Sequence, residues 1–211
     1  MARKIVRLTL DHLAEVDAPC RSCAFWEVDP VRRARLDREA VAGEKEAWIS
    51  EVLREWGSCG RVALVDGVVR GFAIYAPAAY VPGADTFPTS PVSGDAVVLT
   101  TVWIDPVATG AGLGRMLVQG MARDLITRGG IRAVEAFAST GRASGHCLIP
   151  AEFLGSVGFR THRPHPATPR MRMELRSALT WRDEVEAAIE RLVGVVRPQG
   201  SPEPAHRHER S

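Results

Sequence analysis

A glycine-rich segment near the middle of the chain constrains the fold more than any other feature. The apolar, β-rich run 96–104 ends at Asp105-Pro106, and alternating glycines follow at Gly110, Gly112 and Gly114. Apolar residues then recur at helical spacing, at Leu113, Met116, Leu117, Met121 and Leu125. When a strand is followed by a glycine loop and then by the first turn of a helix, backbone N–H groups point at one place. The positive end of the helix dipole points at the same place. Because glycine permits φ > 0 and close approach of an anion, the segment predicts a phosphate or pyrophosphate site made by the backbone.

Two common phosphate-binding motifs do not fit this segment. A Walker-type loop needs Gly-Lys-Ser/Thr, whereas Gly114 is followed by Arg115-Met116. The dinucleotide fingerprint G-x-G-x-x-G needs a glycine where Arg115 or Leu117 stands, and it normally follows an early strand rather than a central one. The loop is therefore neither a Walker-type loop nor a dinucleotide-binding loop.

The same residues resemble the acyl-CoA-binding motif of the GNAT N-acetyltransferase superfamily. That motif begins with a strand, which is followed by a residue pair around Pro. The sequence Gln/Arg-x-x-Gly-x-Gly/Ala comes next, at the beginning of a helix. Here the strand ends with Val102, Trp103 and Ile104, Pro106 follows, and the loop reads Thr109-Gly110-Ala111-Gly112-Leu113-Gly114. Thr109 replaces the usual Gln or Arg, a small change if backbone amides bind the pyrophosphate. Residues 153–159 resemble the second signature of the superfamily, and the resemblance covers roughly residues 4–175.

The resemblance implies an α/β (α+β) GNAT fold: a mixed, mostly antiparallel central sheet with splayed parallel central strands, flanked by helices. We expect this domain at 1–176, a C-terminal helix at 177–196 and a disordered tail at 197–211, which has no apolar residues to bury. Residue patterns predict a loop at 77–94, which contains four prolines, and an irregular insertion at 139–149. Asp11 is the expected cap of a short helix that runs to Val16. The other predicted elements are strands 4–9, 61–66, 69–76, 131–138, 158–163 and 170–175 and helices 37–56, 112–128 and one from Pro150.

The resemblance also implies a chemistry, in which an amine attacks the thioester of acetyl-CoA directly within a ternary complex. Acetyl-CoA is the expected co-substrate, and the acceptor is an amine of a small molecule or a protein lysine. A backbone N–H in Val102–Ile104 would polarise the thioester carbonyl. The expected cofactor-binding residues are Val102, Trp103, Ile104, Thr109, Gly110, Ala111, Gly112, Leu113, Gly114 and Arg115.

The general base is not defined by the motif. Val98 stands where some members carry a strand Glu, Leu154 where many carry a catalytic Tyr, and Cys147 where an Asn is usual. The candidates are Glu135, Glu27, Asp95 and His146. Glu135 is preferred because burial in a strand would raise its pKa, and the alternative is that it pairs with an arginine. The departures leave open a catalytically degenerate acyl-CoA sensor, and a phosphate-loop protein of unrelated fold is a third possibility.

Composition restricts the partners and the compartment. A net charge of +2 is too small to indicate nucleic-acid binding. No run reaches the ~18 apolar residues of a membrane span, and the first residues lack a signal-peptide core, so we expect a cytoplasmic monomer or homodimer. The absence of Asn, with lysines only at Lys4 and Lys45, suggests a GC-rich genome and an actinobacterial-type member.

The cysteines give a weak metal signal. Cys20 and Cys23 have zinc-ligand spacing, and Cys59, His146 and Cys147 could complete a site, but a second C-x-x-C is missing. Reduced, ordinary thiols are the favoured interpretation, and no metal is assigned.

Overall fold

The computed structural model describes residues 2–141 and 148–176, and its centre is a mixed β-sheet. The strands are β1 Arg3–Arg7, β2 Gly60–Val65, β3 Val68–Pro77, β4 Ala96–Ile104, β5 Ala133–Ser139, β6 Ile149–Pro150, β7 Arg160–Arg163 and β8 Arg170–Glu174. Within the described residues the order is β1-β2-β3-β4-β5-β8-β7, with β6 beside β5. The β4–β5 and β5–β6 pairs are parallel and the others antiparallel. The expected fold class is confirmed.

The helices cover both faces of the sheet. They are α1 Leu10–Ala14, α2 Pro30–Arg33, α3 Arg38–Trp56, α4 Leu113–Arg128 and α5 Ala151–Ser156. Leu117 and Met121 of α4 pack in one core cluster with Val134 of β5. Ile49 of α3 packs with Phe72 in a second cluster. Because side chains alternate along a strand, the strands β2, β3, β4 and β5 contribute to both clusters.

Several element boundaries differ from the sequence predictions for local reasons. The first helix is capped by Thr9, whose side chain accepts from the His12 amide, so the expected cap at Asp11 is wrong and β1 ends at Arg7. The predicted hairpin at Asp66-Gly67 is confirmed, with φ of 50° and 84° at its two turn residues. The loop 77–94 is more regular than its prolines suggested, because Ala78–Tyr80 and Pro82–Thr86 form 3-10 helices.

The described residues all belong to one compact unit, Met1–Ala178. The predictions of a C-terminal helix at 177–196 and a disordered tail at 197–211 lie outside the described residues, as does most of the insertion 139–149. None of the described helices combines the length and the apolar character needed to cross a bilayer.

Candidate active site

The two central parallel strands separate and leave a cleft. β4 and β5 pair at only three positions, the last of which joins Val98 to Glu135. Beyond that point β4 continues to Ile104 and β5 to Ser139. The short strand β6 pairs with the end of β5, and among the described residues no strand pairs there with the edge of β4 that faces β5. The unpaired edge provides backbone N–H and C=O groups that a bound molecule can use.

A β-bulge lies just inside this cleft, at Thr100. The register with β3 passes from Thr101 opposite Ile74 to Leu99 opposite Tyr75, so Thr100 has no opposing residue. Its hydroxyl donates to the Ile74 carbonyl at 3.2 Å. A bulge increases local twist and redirects the following residues, which separates β4 further from β5.

The glycine loop follows directly at the end of β4. Gly110 and Gly112 have φ of 80° and 77°, and a Cβ built on either would meet no atom within 4 Å. Both glycines are exposed. Gly112 is the N-cap residue of α4, and the amides of Gly110, Gly112, Leu113 and Gly114 donate to no group in the described residues. The loop is therefore an open set of N–H donors at a helix N-terminus, as anion binding requires.

The next glycine of the motif serves a different purpose. A Cβ at Gly114 would lie 2.7 Å from Cε2 of Phe153, so this residue allows α4 to pack closely on α5. Arg115 lies beside it, and its Nη2 donates to the Ser156 carbonyl at 2.9 Å. The side chain of Arg115 therefore binds α5.

A cationic side chain that the motif did not predict lies at the loop. Nη1 of Arg3, in β1, donates to the Ala111 carbonyl at 2.7 Å. Arg3 therefore places a positive charge at the glycine loop, where Thr109 replaces the Gln or Arg that is usual in the motif. The two partners are 108 residues apart, so no local pattern could have revealed the contact.

Glu135, the preferred base, is a buried ion-pair partner. Its carboxylate lies 3.2 Å from Nη1 of Arg170 and 3.1 Å from Nη1 of Arg172, and it accepts from the Ser93 amide at 3.2 Å. Burial alone would raise the pKa of Glu135, but the hydrogen bonds from Ser93 and Arg172 and the positive charge of Arg170 outweigh it and hold the pKa below its usual value. The expected increase in pKa is wrong, and the alternative of arginine pairing is confirmed.

The other two candidate carboxylates are also paired. Asp95 accepts two hydrogen bonds from Arg172, at 2.9 and 3.0 Å, and they lower its pKa. Glu27 accepts from Nζ of Lys45 through Oε1 in a pair whose side chains are 0% and 1% exposed. Its Oε2 has no hydrogen-bond partner among the described residues. None of these carboxylates resembles an unpaired general base, and His146 lies outside the described residues.

The tyrosines do not replace the missing acid. Leu154 is fully buried at the usual tyrosine position. The Tyr75 hydroxyl donates to Asp124 at 2.7 Å, and burial raises its pKa. The Tyr80 hydroxyl donates to Glu55 at 2.9 Å.

Of the thiols that the structure describes, Cys59 is buried in the core and Cys20 packs against it. Burial raises the pKa of Cys59 to about 12 and also raises that of Cys20. Within the described residues no group of three His, Cys, Asp or Glu side chains is arranged to hold a metal ion. The proposed ligands His146 and Cys147 lie outside this part of the chain.

Aromatic side chains cover β5 on the face opposite α4. The Trp26 ring stacks on Phe87 and Phe137 with centroids 5.3 and 6.0 Å apart, and the two phenylalanine rings are 4.6 Å apart. The segment around Trp26 and the loop 77–94 thus meet beside the cleft.

A mixed sheet that opens between its parallel central strands, with a glycine loop where β4 ends, defines an acetyltransferase-type fold. The chain belongs to the Acetyltransferase (GNAT) family, whose sequence model matches residues 13–147, more than half of its length. No curated protein shows significant sequence similarity to it.

Solved structures share the fold at low sequence identity. An N-acetyltransferase from Staphylococcus aureus Mu50 is 14% identical, with a TM-score of 0.54 over 83% of this chain and 99% of that one. YncA from Salmonella typhimurium, solved with acetyl-CoA, is 18% identical, with a TM-score of 0.52 over 83% and 95%. The PaiA N-acetyltransferase from Thermoplasma acidophilum, solved with coenzyme A, is 13% identical, with a TM-score of 0.50 over 82% and 99%.

Proposed function

We propose that this protein transfers the acetyl group of acetyl-CoA to a primary amine, on a small molecule or a protein lysine, by direct attack in a ternary complex. One observation carries the proposal: an open loop with positive φ at Gly110 and Gly112 lies at the end of a strand that has lost its parallel partner. The open loop suits a pyrophosphate, and the strand edge without a partner suits a pantetheine arm. Two structures of the same fold were solved with acetyl-CoA or coenzyme A.

The residues of the site fit this molecule. The amides of Gly110, Gly112 and Leu113 would hold the pyrophosphate, and Arg3 would add positive charge at the loop. The free edge of β4 would bind the pantetheine arm, and an amide in Val102–Ile104 would donate to the thioester oxygen. When bound, acetyl-CoA supplies an activated acyl group with a thiolate leaving group.

The protein residues support proton loss to water rather than to a dedicated carboxylate. Glu135, Glu27 and Asp95 each bind a cationic side chain, and the pKa values of Glu135 and Asp95 lie below their usual range. A weak base of this kind removes an ammonium proton poorly. We therefore expect turnover to increase with pH until the amine itself is deprotonated.

The second candidate function is an acyl-CoA-binding sensor without turnover. Buried Leu154, at the position of the usual catalytic tyrosine, favours it. Binding of acetyl-CoA is common to both functions, so binding alone does not separate them.

Turnover separates the two candidates. Release of CoA thiol from acetyl-CoA should be measured with a panel of amines that includes lysine-containing peptides, alongside calorimetry with acetyl-CoA alone. Amine-dependent thiol release supports the transferase. Micromolar binding with no release across the panel supports the sensor, and no binding at all overturns both.

Replacement of Glu135 by Gln is expected to change stability rather than the pH profile of turnover. The variant leaves Arg170 buried beside a neutral amide, a loss of about 3 kcal/mol of unfolding free energy near neutral pH. Because the folded-state pKa of Glu135 is depressed, its contribution is present above the usual carboxyl pKa of ~4.3 and is lost as the pH falls through the folded-state value. Urea unfolding from neutral to acidic pH should therefore show the difference between wild type and variant shrinking.

The exposed Glu46→Gln variant is the control and should match wild type throughout. A stable Glu135→Gln protein whose turnover profile moves to higher pH would instead identify Glu135 as the base.

A further inference from the structure

An open pocket lies beside the Glu135 cluster, which is the group formed by Glu135 and its ion-pair partners Arg170 and Arg172. The pocket is on a part of the surface that the acetyl-CoA site does not use. Residues 88–93 form one wall, and Arg163, Pro164 and Arg170 form the other. Its volume is about 580 Å³, within the range of small-molecule sites. Two arginines in one wall indicate an anionic ligand.

Arg170 is the unusual member of this wall. Its side chain is 3% exposed, and burial is the main cause that lowers its pKa. Nη1 lies 3.2 Å from the Glu135 carboxylate, yet neither Nε nor Nη1 makes a hydrogen bond to any described residue. A buried guanidinium with unused donors is costly unless a ligand or water satisfies it.

The neighbouring charges do not neutralise this wall. Glu135, Asp95 and Glu174 all bind Arg172, so Arg170 shares only Glu135 and has no second carboxylate among the described residues. Arg163, exposed on β7, makes no ion pair with any described residue. The pocket side of the cluster is therefore cationic.

The hydroxyls of Thr89, Ser90 and Ser93 in the opposite wall all have partners within the protein, and that of Ser93 is Glu135. Thr89 donates to the Thr168 carbonyl at 3.2 Å, and Ser90 donates to the Ala84 carbonyl. The guanidinium groups of Arg163 and Arg170 are thus the side-chain donors that a ligand in the pocket can use. The opposite wall is partly apolar, because it contains Pro88, Pro91 and Val92. This combination suits an anionic oxygen group attached to an aliphatic chain.

The position of the pocket relates it to the cleft. Arg170 lies opposite Phe137 in the β5–β8 register, and the far edge of β5 borders the cleft. Strands are ~4.8 Å apart, so the pocket lies about two strand spacings, roughly 10 Å, from the cleft. A ligand in the pocket would reach the cleft through several bonds.

We propose that this pocket binds the anionic group, carboxylate or phosphate, of an acceptor whose reacting amine is several bonds away. The inference rests on the proposed acetyltransferase function and names the substrate class. In the reaction the ammonium first loses one proton to water, and the amine nitrogen then forms a bond to the acetyl carbon while the carbon–sulfur bond breaks. The second proton leaves the nitrogen and reaches the departing thiolate by way of water, so that CoA leaves as the thiol. Arg163 and Arg170 position the acceptor and take no part in bond making.

The test compares matched amines in the wild type, in Arg163→Gln and in Arg160→Gln, an exposed β7 arginine outside the pocket. The substrates are 8-aminooctanoate, 6-aminohexyl phosphate and octylamine, which place a carboxylate, a phosphate or a methyl group about eight bonds from the amine nitrogen and so cover a separation of roughly 10 Å. We expect a KM at least about tenfold lower for one anionic amine than for octylamine, and a loss of that advantage in Arg163→Gln, whereas Arg160→Gln keeps both the advantage and the wild-type kcat for octylamine. The better of the two anionic amines tells carboxylate from phosphate.

Equal KM values for the amines with and without an anionic group, or equal losses in the two arginine variants, would overturn the pocket while leaving the transferase intact. If no amine is acetylated, the transferase proposal fails, and calorimetry with 8-aminooctanoate and 6-aminohexyl phosphate decides the pocket separately. Binding lost in Arg163→Gln but kept in Arg160→Gln supports the pocket, and no binding to wild type overturns it.

Discussion

Replacement of Gly112 by Asp is expected to weaken acetyl-CoA binding at least about a hundredfold while the chain stays folded. Gly112 has φ of 77°, and its missing Cβ faces open space at the N-terminus of α4. Asp is among the residues that best tolerate this conformation, so the loop can keep its shape. The carboxylate would occupy the space beside the free amides and would repel the pyrophosphate. Calorimetric titration with acetyl-CoA measures the loss.

Gly67→Asp is the matched control. Gly67 has a φ of 84° and open space around its Cβ position, but it lies in the β2–β3 hairpin. The two variants therefore share the added charge and the backbone strain and differ only in location. Wild-type affinity in Gly112→Asp, or an equal loss in Gly67→Asp, contradicts a pyrophosphate site in the loop. Thermal stabilisation by acetyl-CoA, about 2.7 kcal/mol at a hundredfold excess over Kd, gives an independent readout.

The sequence predicted best what depends on neighbouring residues. The strand 96–104 and the turn at Asp66-Gly67 are encoded within a few positions, by apolar patterning and by residues that accept φ > 0. The sequence did not reveal that Gly112 and Gly114 are glycines for different reasons. One leaves space open, and the other gives room to Phe153, which arrives from a later helix.

The sequence could not predict the partners of the buried charged residues, because strand register decides which side chains lie across from one another. Glu135 was expected to be buried, and it is, but its pKa depends on which residues of β8 lie across from it. The antiparallel register places Arg172 directly opposite Glu135, so its guanidinium reaches the carboxylate and lowers the pKa. Arg3 at the glycine loop is likewise a contact between distant segments. A one-residue change of register would reverse which face these side chains occupy.

Replacement of Lys45 by Met is expected to be among the most destabilising single changes, with a loss of about 3–5 kcal/mol of unfolding free energy. Lys45 of α3 and Glu27 form an ion pair whose side chains are 1% and 0% exposed, and Oε2 of Glu27 already has no hydrogen-bond partner among the described residues. Loss of the ammonium would leave a buried carboxylate with no counter-charge, which low-dielectric surroundings penalise strongly. Urea unfolding near neutral pH measures the change. Lys4→Met removes the only other lysine, at an exposed position of β1, and is expected to have little effect.

The double variant Lys45→Met, Glu27→Leu separates a structural role from a catalytic one. Apolar residues of similar volume often replace a buried ion pair without loss, so most of the stability should return. Glu27 follows Trp26, whose ring stacks beside the cleft, and the ion pair fixes this segment to α3. A stable double variant that still acetylates amines shows that the role of Glu27 is structural and that Glu27 is not the base. A stable double variant without turnover would instead make Glu27 the base, and a Lys45→Met protein as stable as wild type would show that the carboxylate is not held as a buried charge.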